Sequence, residues 1–338
     1  MTGRMRAPSA RRGAPIRERE FHAWLARNLP AGRRGLLPLG DDAAAVRPRA
    51  GRVAVLTTDS LVEGTHFLPG SPPGRIGSAA VAVSLSDLAA KGARPAAVLL
   101  AVIVPPGTPR AWAQSLASGA ARTAARYGAD LVGGDTKPGP VRTVVSSALG
   151  WGHPHRLAPR SGAEAGDLLV TTGVVGRGGL AAARLPSRGP PTSRALAALL
   201  DVRPRVREGE ALARWAHAML DTSDGLAEAT RLLAESSRVR VVVEERRLPL
   251  APGLVRLARS TAGRRVLAFF GGDYELLASV RPADLRRVNH AVRAVGGRLT
   301  RIGRVENGSG AWLATDGGLV PMPLPGWVPF ESGPRPGH

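Results

Sequence analysis

Thr57, Thr58 and Asp59 stand together after the apolar run Val53-Ala54-Val55-Leu56, and Glu63, Gly64 and His66 follow within a few residues. Two hydroxyls and a carboxylate at the end of a buried strand form a hard-oxygen set. Such a set, with a glycine that lets backbone approach a ligand, suits a divalent cation and phosphate. A strand that ends in a solvated polar turn uses the same residue types, so this stretch alone leaves both readings open. The design recurs along the chain. Gly40-Asp41-Asp42 precedes an expected strand over 43–46, and adjacent carboxylates repel unless a cation joins them. Ser86-Asp87 lies inside a largely apolar helix, where a carboxylate is costly unless paired or metal-bound. Lys91, one turn on, is the bland partner for it. Gly133-Gly134-Asp135-Thr136 follows a short strand, and its glycines can present N–H groups to phosphate. Asp221-Thr222-Ser223-Asp224-Gly225 crowds two carboxylates at a helix start, more than an N-cap requires. Gly271-Gly272-Asp273-Tyr274-Glu275 closes the series.

The elements that must position these residues follow from apolar periodicity and punctuation. The pattern predicts helices over 18–28, 74–92, 109–127, 205–220, 226–236 and 284–295. It predicts strands over 53–56, 95–105, 141–151, 167–172, 239–244 and 299–305, with short strands delivering Asp135 and, over 266–270, Asp273. Residues 151–159, rich in Gly, Pro and His, read as a link between domains. The Gly-rich loop over 172–179 lacks both the P-loop pattern and a clean dinucleotide fingerprint. Trp327, in Pro325-Gly326-Trp327, reads as a packing plug or a ring that stacks on a ligand. The resulting division is a basic, disordered lead-in over 1–19, an N-terminal domain over 20–152 and a C-terminal domain over 153–338.

Composition narrows the function classes. The 338 residues are 43% hydrophobic but only 4% aromatic, so the cores rest on Ala, Val and Leu. The absence of cysteine excludes disulfides, thiolate-zinc sites and cysteine nucleophiles. No apolar run approaches the roughly 20 residues of a membrane span, and 1–19 has no apolar signal core, so a cytoplasmic protein without a membrane partner is expected. The net charge is +21. Its cations are almost all arginine, with Lys91 and Lys137 the only lysines. They are scattered and lack aromatic interleaving, so no specific nucleic-acid partner is expected. On so basic a chain, acid-rich islands flanked by Gly, Ser and Thr are a poor fit to solvated faces. They fit Mg²⁺ bridging a nucleoside triphosphate, in a site without a P-loop.

The ordered motifs Gly40-Asp41-Asp42, Thr57-Thr58-Asp59, Leu61-Val62-Glu63-Gly64-Thr65-His66-Phe67, Leu85-Ser86-Asp87-Leu88, Gly133-Gly134-Asp135-Thr136, Arg160-Ser161-Gly162-Ala163, Asp221-Thr222-Ser223-Asp224-Gly225-Leu226 and Gly271-Gly272-Asp273-Tyr274-Glu275-Leu276 resemble those of the thiamine-monophosphate kinase family. The resemblance implies transfer of the γ-phosphoryl group of ATP onto thiamine monophosphate. It implies a homodimer of two-domain α/β subunits, whose N-terminal domains form a shared β-barrel and whose C-terminal domains are α/β sandwiches. By motif match, Asp42, Thr57, Thr58, Asp59, Asp87, Asp135, Asp221 and Asp224 would bind Mg²⁺, while Gly134, Asp135, Arg160 and Ser223 would hold ATP. His66 and Trp327 would contact the thiamine phosphate. Asp59, Asp135 and Arg160 would carry catalysis. The match puts Gly272 where many members have a substrate-contacting Glu, so that contact is expected to be missing or taken over by Asp273 or Glu275. An aromatic near the nucleotide is replaced by Ala or Ser around Ala117 and Ser118.

Overall fold

The computed structural model describes residues 51–186, 191–258 and 260–323, together with Trp24 and Asn28. Asp41, Asp42, Trp327 and the expected strand over 43–46 lie outside the described residues, as does most of the expected first helix. Trp24 and Asn28 are helical, and Trp24 packs against Ala113 and Ala117.

The first half builds a four-stranded sheet. Strand β1 (Val53–Val62) is followed by helix α1 (Pro73–Ala90), β2 (Arg94–Val104), α2 (Arg110–Arg126), β3 (Asp130–Pro138) and β4 (Thr143–Gly152). Strand order is β1-β4-β2-β3. Strands β2 and β3 are parallel because α2 crosses between them, while β4 runs antiparallel to both β1 and β2. One face of the sheet is covered by α1, and the other presents Leu56 (71% exposed) and Leu99 (41% exposed).

The second half builds a seven-stranded mixed sheet. Its elements are β5 (Leu168–Thr172), α3 (Arg177–Ala182), α4 (Ser193–Leu199), α5 (Val206–Leu212), β6 (Ala216–Asp221), α6 (Leu226–Ser237), β7 (Arg240–Glu244), α7 (Leu254–Leu257), α8 (Thr261–Ala268), β8 (Leu276–Val280), α9 (Leu285–Ala294), β9 (Leu299–Glu306), β10 (Gly310–Thr315) and β11 (Gly318–Pro321). The order is β11-β10-β7-β9-β5-β8-β6. Neither sheet closes on itself among the described residues. No described helix is long and apolar enough to cross a membrane.

Helix α1 holds the two halves together. It starts with Pro73, whose missing N–H costs nothing in a first turn. Its apolar residues surround the axis rather than forming a stripe, as befits a helix buried on all sides. It packs on α2, the first sheet, α5 and β6. The α1–α2 crossing is close because Gly77 has no side chain; a Cβ there would lie 2.0 Å from the Leu116 carbonyl oxygen. One continuous core therefore joins Leu85 and Leu88 of α1 to Met219 and Leu276 of the second sheet.

Two expectations about elements need correction. The segment over 205–220 is not one helix: α5 ends at Leu212, and Ala216–Asp221 forms the edge strand β6. Its Ala- and Leu-rich sequence fits a helix, but pairing with β8 overrides that preference. Residues 266–270 are not a strand, because α8 runs to Ala268 and its last turn buries Leu267 and Phe269.

Candidate functional site

The Ser86-Asp87 pair of α1 sits where the two sheets face each other. Asp87 meets β1, accepting a hydrogen bond from Thr57 Oγ1 at 2.5 Å on its Oδ2. Ser86 is fully buried and points to the C-terminal end of β6, donating to Asp221 Oδ2 at 2.6 Å. Ser223 donates to the other oxygen of Asp221 at 3.0 Å. Strand β1 continues through Thr57, Thr58 and Asp59 rather than ending there. Strand alternation therefore turns Thr57 and Asp59 inward and Thr58 outward, where its hydroxyl pairs with Ser147 at 3.0 Å. Ser146, opposite Asp59 in the β1–β4 register, is buried, and its hydroxyl has no hydrogen-bond partner among the described residues.

Four carboxylates thus crowd one interface, and their electrostatics show it. Burial first, then the charges of Asp87 and Asp221, a hydrogen bond with Asp87 and the charge of Asp224 push Asp59 up from 3.8 to about 7. Burial pushes Asp221 up to about 6, with Asp87 adding to the shift and the Ser86 and Ser223 hydroxyls opposing it. Asp224 is raised by burial and by Glu228 and Asp87, against the charges of Arg160 and His66. Three basic side chains border the cluster, and one of them, His66, is neutral. The exposed Arg160 acts on Asp224 and Lys91. His66 is pulled below its ordinary value, chiefly by burial. Its Nδ1 accepts the Val62 N–H at 3.1 Å, so the neutral ring carries its proton on Nε2. Lys91 is not Asp87's partner: its Nζ donates to the Met219 and Ala158 carbonyls at 3.0 and 3.3 Å, and burial lowers it to about 8.

Among the described residues no three carboxylate or imidazole groups converge to form a ready-made metal site. Mg²⁺ itself keeps water and takes one or two carboxylates plus substrate phosphates. Mutually repelling carboxylates, accompanied by hydroxyls and an orphaned buried Ser146 oxygen, fit such an ion.

Other expected site residues are placed elsewhere. Asp135 and Gly134 lie on β3, at the opposite sheet edge from β1. The cross-sheet register Asp59–Ser146–Leu100–Gly134 separates Asp59 from that strand by three strand spacings, about 14 Å. Asp135 is exposed and pairs with Lys137 at 3.3 Å. Gly134 has a packing reason: a Cβ there would lie 1.9 Å from the Leu100 carbonyl oxygen. Glu63 is held by Arg142 at 2.8 and 3.1 Å, away from the cluster. Asp273, expected to touch substrate, is instead buried, and accepts the N–H groups of Gly176 and Gly178 at 2.6 and 2.9 Å. Ala117, at the expected site of a missing aromatic, lies on α2 and is buried in a small cluster with Ala113, Trp112 and Trp24.

Two features escaped sequence reasoning. Glu275 is fully buried and gripped at both oxygens by Arg205, at 2.6 and 2.5 Å, with Thr172 Oγ1 donating at 2.7 Å. Both of its oxygens are thus occupied by partners within the protein. Tyr274 lies between these two anchored carboxylates with φ +52°. The 70-residue separation of Arg205 and Glu275 leaves no local signal. The acidic pair flanking an aromatic was the only available hint at Tyr274.

Comparison with known proteins agrees with this geometry. Residues 40–152 match the family model "AIR synthase related protein, N-terminal domain", and residues 164–313 match "AIR synthase related protein, C-terminal domain". A thiamine-monophosphate kinase of Synechococcus elongatus is 37% identical over 274 residues, covering 74% of this chain and 82% of the relative. The crystal structure of a thiamine-monophosphate kinase from Stenotrophomonas maltophilia superposes with a TM-score of 0.75 at 31% identity, over 87% of this chain and 94% of that one. A second solved relative, AaThiL complexed with AMPPCP and TMP, superposes at 0.68 with 28% identity, over 81% of this chain and 87% of that one. With its two sheets, its carboxylate interface and these relatives in agreement, the chain belongs to the thiamine-monophosphate kinase family.

Proposed function

We propose that this protein is a phosphotransferase that moves the γ-phosphoryl group of ATP onto thiamine monophosphate, giving thiamine diphosphate and ADP. The observation that carries this reading is that Asp59, Asp87, Asp221 and Asp224, from three elements and a turn, line one interface, bridged by the Thr57 and Ser86 hydroxyls, in a chain whose relatives are kinases of that substrate. The complex of a relative with AMPPCP and TMP supports the two substrates. Thr57, Asp59, Asp87, Asp221 and Asp224 would hold Mg²⁺. The ion, when bound, neutralises charge on the triphosphate so that phosphates can enter an acidic site. Arg160, with Ser223, would hold nucleotide phosphate, and His66 the acceptor phosphate through its Nε2–H.

The reaction needs little proton chemistry. The acceptor oxygen belongs to a phosphate monoester and is already anionic, so it requires no general base. A P–O bond forms from that oxygen to the γ-phosphorus, and the bond to the β-phosphate oxygen breaks, releasing ADP. Catalysis is then in-line positioning and charge stabilisation. This accounts for a site rich in Asp and poor in His. His66, with its depressed basicity, serves as a neutral donor rather than as a base.

We infer further that two copies associate through the first sheet. Its uncovered face carries Leu56 and Leu99, and its edges β1 and β3 are both unpaired among the described residues. Joining two such sheets edge to edge would make a shared barrel and bury that apolar face. It would also give Asp135 a route to the cluster, as part of a second copy rather than of the same chain. Asp273 is assigned to positioning the 173–178 loop. The test is purified protein with ATP, Mg²⁺ and thiamine monophosphate, followed by chromatography. Thiamine diphosphate formed in step with ADP is expected. Nucleotide binding without product would overturn the acceptor assignment.

A further inference from the structure

An open cavity of about 490 Å³ lies between one face of α9 and the turn that joins α5 to β6. That volume suits a small-molecule ligand. The turn supplies Arg214 and Trp215, and the helix supplies Arg286, Arg287, His290 and Ala291. Arg286 and His290, like Arg287 and Ala291, stand four positions apart and so share one helix face. The frame behind them is firm. Val288 and Val292, on the inner side of α9, are fully buried, and Trp215 packs on the same core. The Trp215 N–H closes the turn by donating to the Leu212 carbonyl at 2.9 Å.

No acidic side chain among the described residues lines this cavity. Arg287 has an exposed ion pair with Asp284 at 3.3 Å, which is worth little in water. Arg286 and His290 have no ion pair or hydrogen bond to another described residue. The Arg214 guanidinium lies over the Trp215 ring, 5.2 Å from its centroid, which fixes its plane and leaves its N–H donors unspent. Three guanidiniums gathered at one concave surface repel one another, and a multiply charged anion turns that repulsion into binding. Each guanidinium offers a planar fork that matches phosphate oxygens, and the imidazole adds another N–H donor. Three forks exceed what a single phosphate needs, so linked phosphates are the better match. A strand of nucleic acid is a poorer one, because it stacks on successive aromatics and this cavity has one ring.

We propose that this cavity is a binding site for a small anion carrying two or more linked phosphates, separate from the aspartate cluster. A strand rises about 3.3 Å per residue, so β6, running from Ala216 beside the cavity to Asp221, sets the two sites about 17 Å apart. The inference does not depend on the kinase reading. The phosphates belong either to an inorganic polyphosphate or to a nucleotide, whose base would add contact with Trp215.

The experiment measures binding of inorganic pyrophosphate and of ADP by calorimetry at physiological ionic strength in EDTA, where the metal-free aspartate cluster repels phosphates. Wild type is compared with Arg214→Gln/Arg286→Gln and with Arg194→Gln/Arg256→Gln. The second pair removes two exposed arginines from α4 and α7 and leaves the same net charge as the first. Loss of two charge-assisted donors predicts a fall of at least about tenfold in pyrophosphate affinity for the first variant. The second should stay within about twofold, since its charges lie outside the cavity. Melting temperatures of both should stay within about 2 °C of wild type, because all four side chains are exposed. Arg286→Gln alone gives a second reading and should lose at least about threefold. Tighter binding of ADP than of pyrophosphate, lost in the first variant, assigns the site to a nucleotide; pyrophosphate binding as tight or tighter assigns it to inorganic polyphosphate. Equal falls in the two double variants would show only the general attraction of a basic chain for anions and would overturn the proposal. So would an unchanged affinity in the first variant, or no pyrophosphate or ADP binding by wild type.

Discussion

Replacing Asp59 by Asn should make the metal-free protein more stable while disabling it. Burial and the charges of Asp87, Asp221 and Asp224 raise this carboxyl from 3.8 to about 7. The folded-state value lies above the unfolded one, so the fold retains a proton that the unfolded chain has already lost. The associated destabilisation is absent below about pH 4, grows as pH rises, and is complete above about pH 7. Taken at face value the shift corresponds to about 4 kcal/mol, at about 1.4 kcal/mol per tenfold. Screening around a part-exposed, coupled carboxylate reduces this to about 1–2 kcal/mol. Asn keeps the shape, can donate to Asp87, and carries no charge. Urea unfolding in EDTA should therefore find Asp59→Asn more stable than wild type by about 1–2 kcal/mol at pH 8, with the gap closing toward pH 4. Turnover should fall about a hundredfold or more, since a charge that organises the metal is gone. Saturating Mg²⁺ with AMPPCP should reverse the stability order, because ligand binding stabilises only the form that binds. A variant less stable than wild type at pH 8 in EDTA, or one with near-normal turnover, would refute the carboxylate-repulsion reasoning.

Other perturbations probe the supports of the site. Arg205→Met should destabilise by about 3 kcal/mol in chemical denaturation, because it strands the buried Glu275 carboxylate with Thr172 as its main remaining donor; a change below about 1 kcal/mol would show that the pair is not structural. Gly134→Ala should cost about 1–3 kcal/mol, as its Cβ would collide with the Leu100 carbonyl and force β3 away from β2; a thermal melt equal to wild type contradicts the close approach. Leu56→Asp, at a 71% exposed position, should leave a folded protein by circular dichroism but shift its mass by light scattering from two copies to one. An unchanged mass would remove the sheet face from the interface.

Much of the chemistry was legible in the residues. The acid islands stood out because each joined an apolar element to Gly, Ser or Thr and then a carboxylate, on a chain of opposite charge. What the islands could not reveal was which of them meet. Thr57 and Thr58 are neighbours in sequence but lie on opposite faces of β1, since a strand alternates with period two. Asp59 and Asp135 belong to similar motifs, yet the order β1-β4-β2-β3 puts them on opposite edges. Asp273 reads as a ligand residue in sequence, but the loop it anchors lies almost 100 residues away. The segment over 205–220 departs from the helical expectation because a buried edge strand and a helix share the same Ala- and Leu-rich vocabulary. Long buried elements such as α1 and β2 were plain, because their apolar runs leave few alternatives.

The carboxylate interface itself can be tested most directly by locating the ion. Crystals of the protein with Mn²⁺ in place of Mg²⁺ and with AMPPCP would give anomalous peaks at the metal positions. The expected result is density between the carboxylates of Asp59, Asp87, Asp221 and Asp224 and the triphosphate oxygens. Nucleotide bound elsewhere, with no peak within ligating distance of any of these four residues, would contradict it.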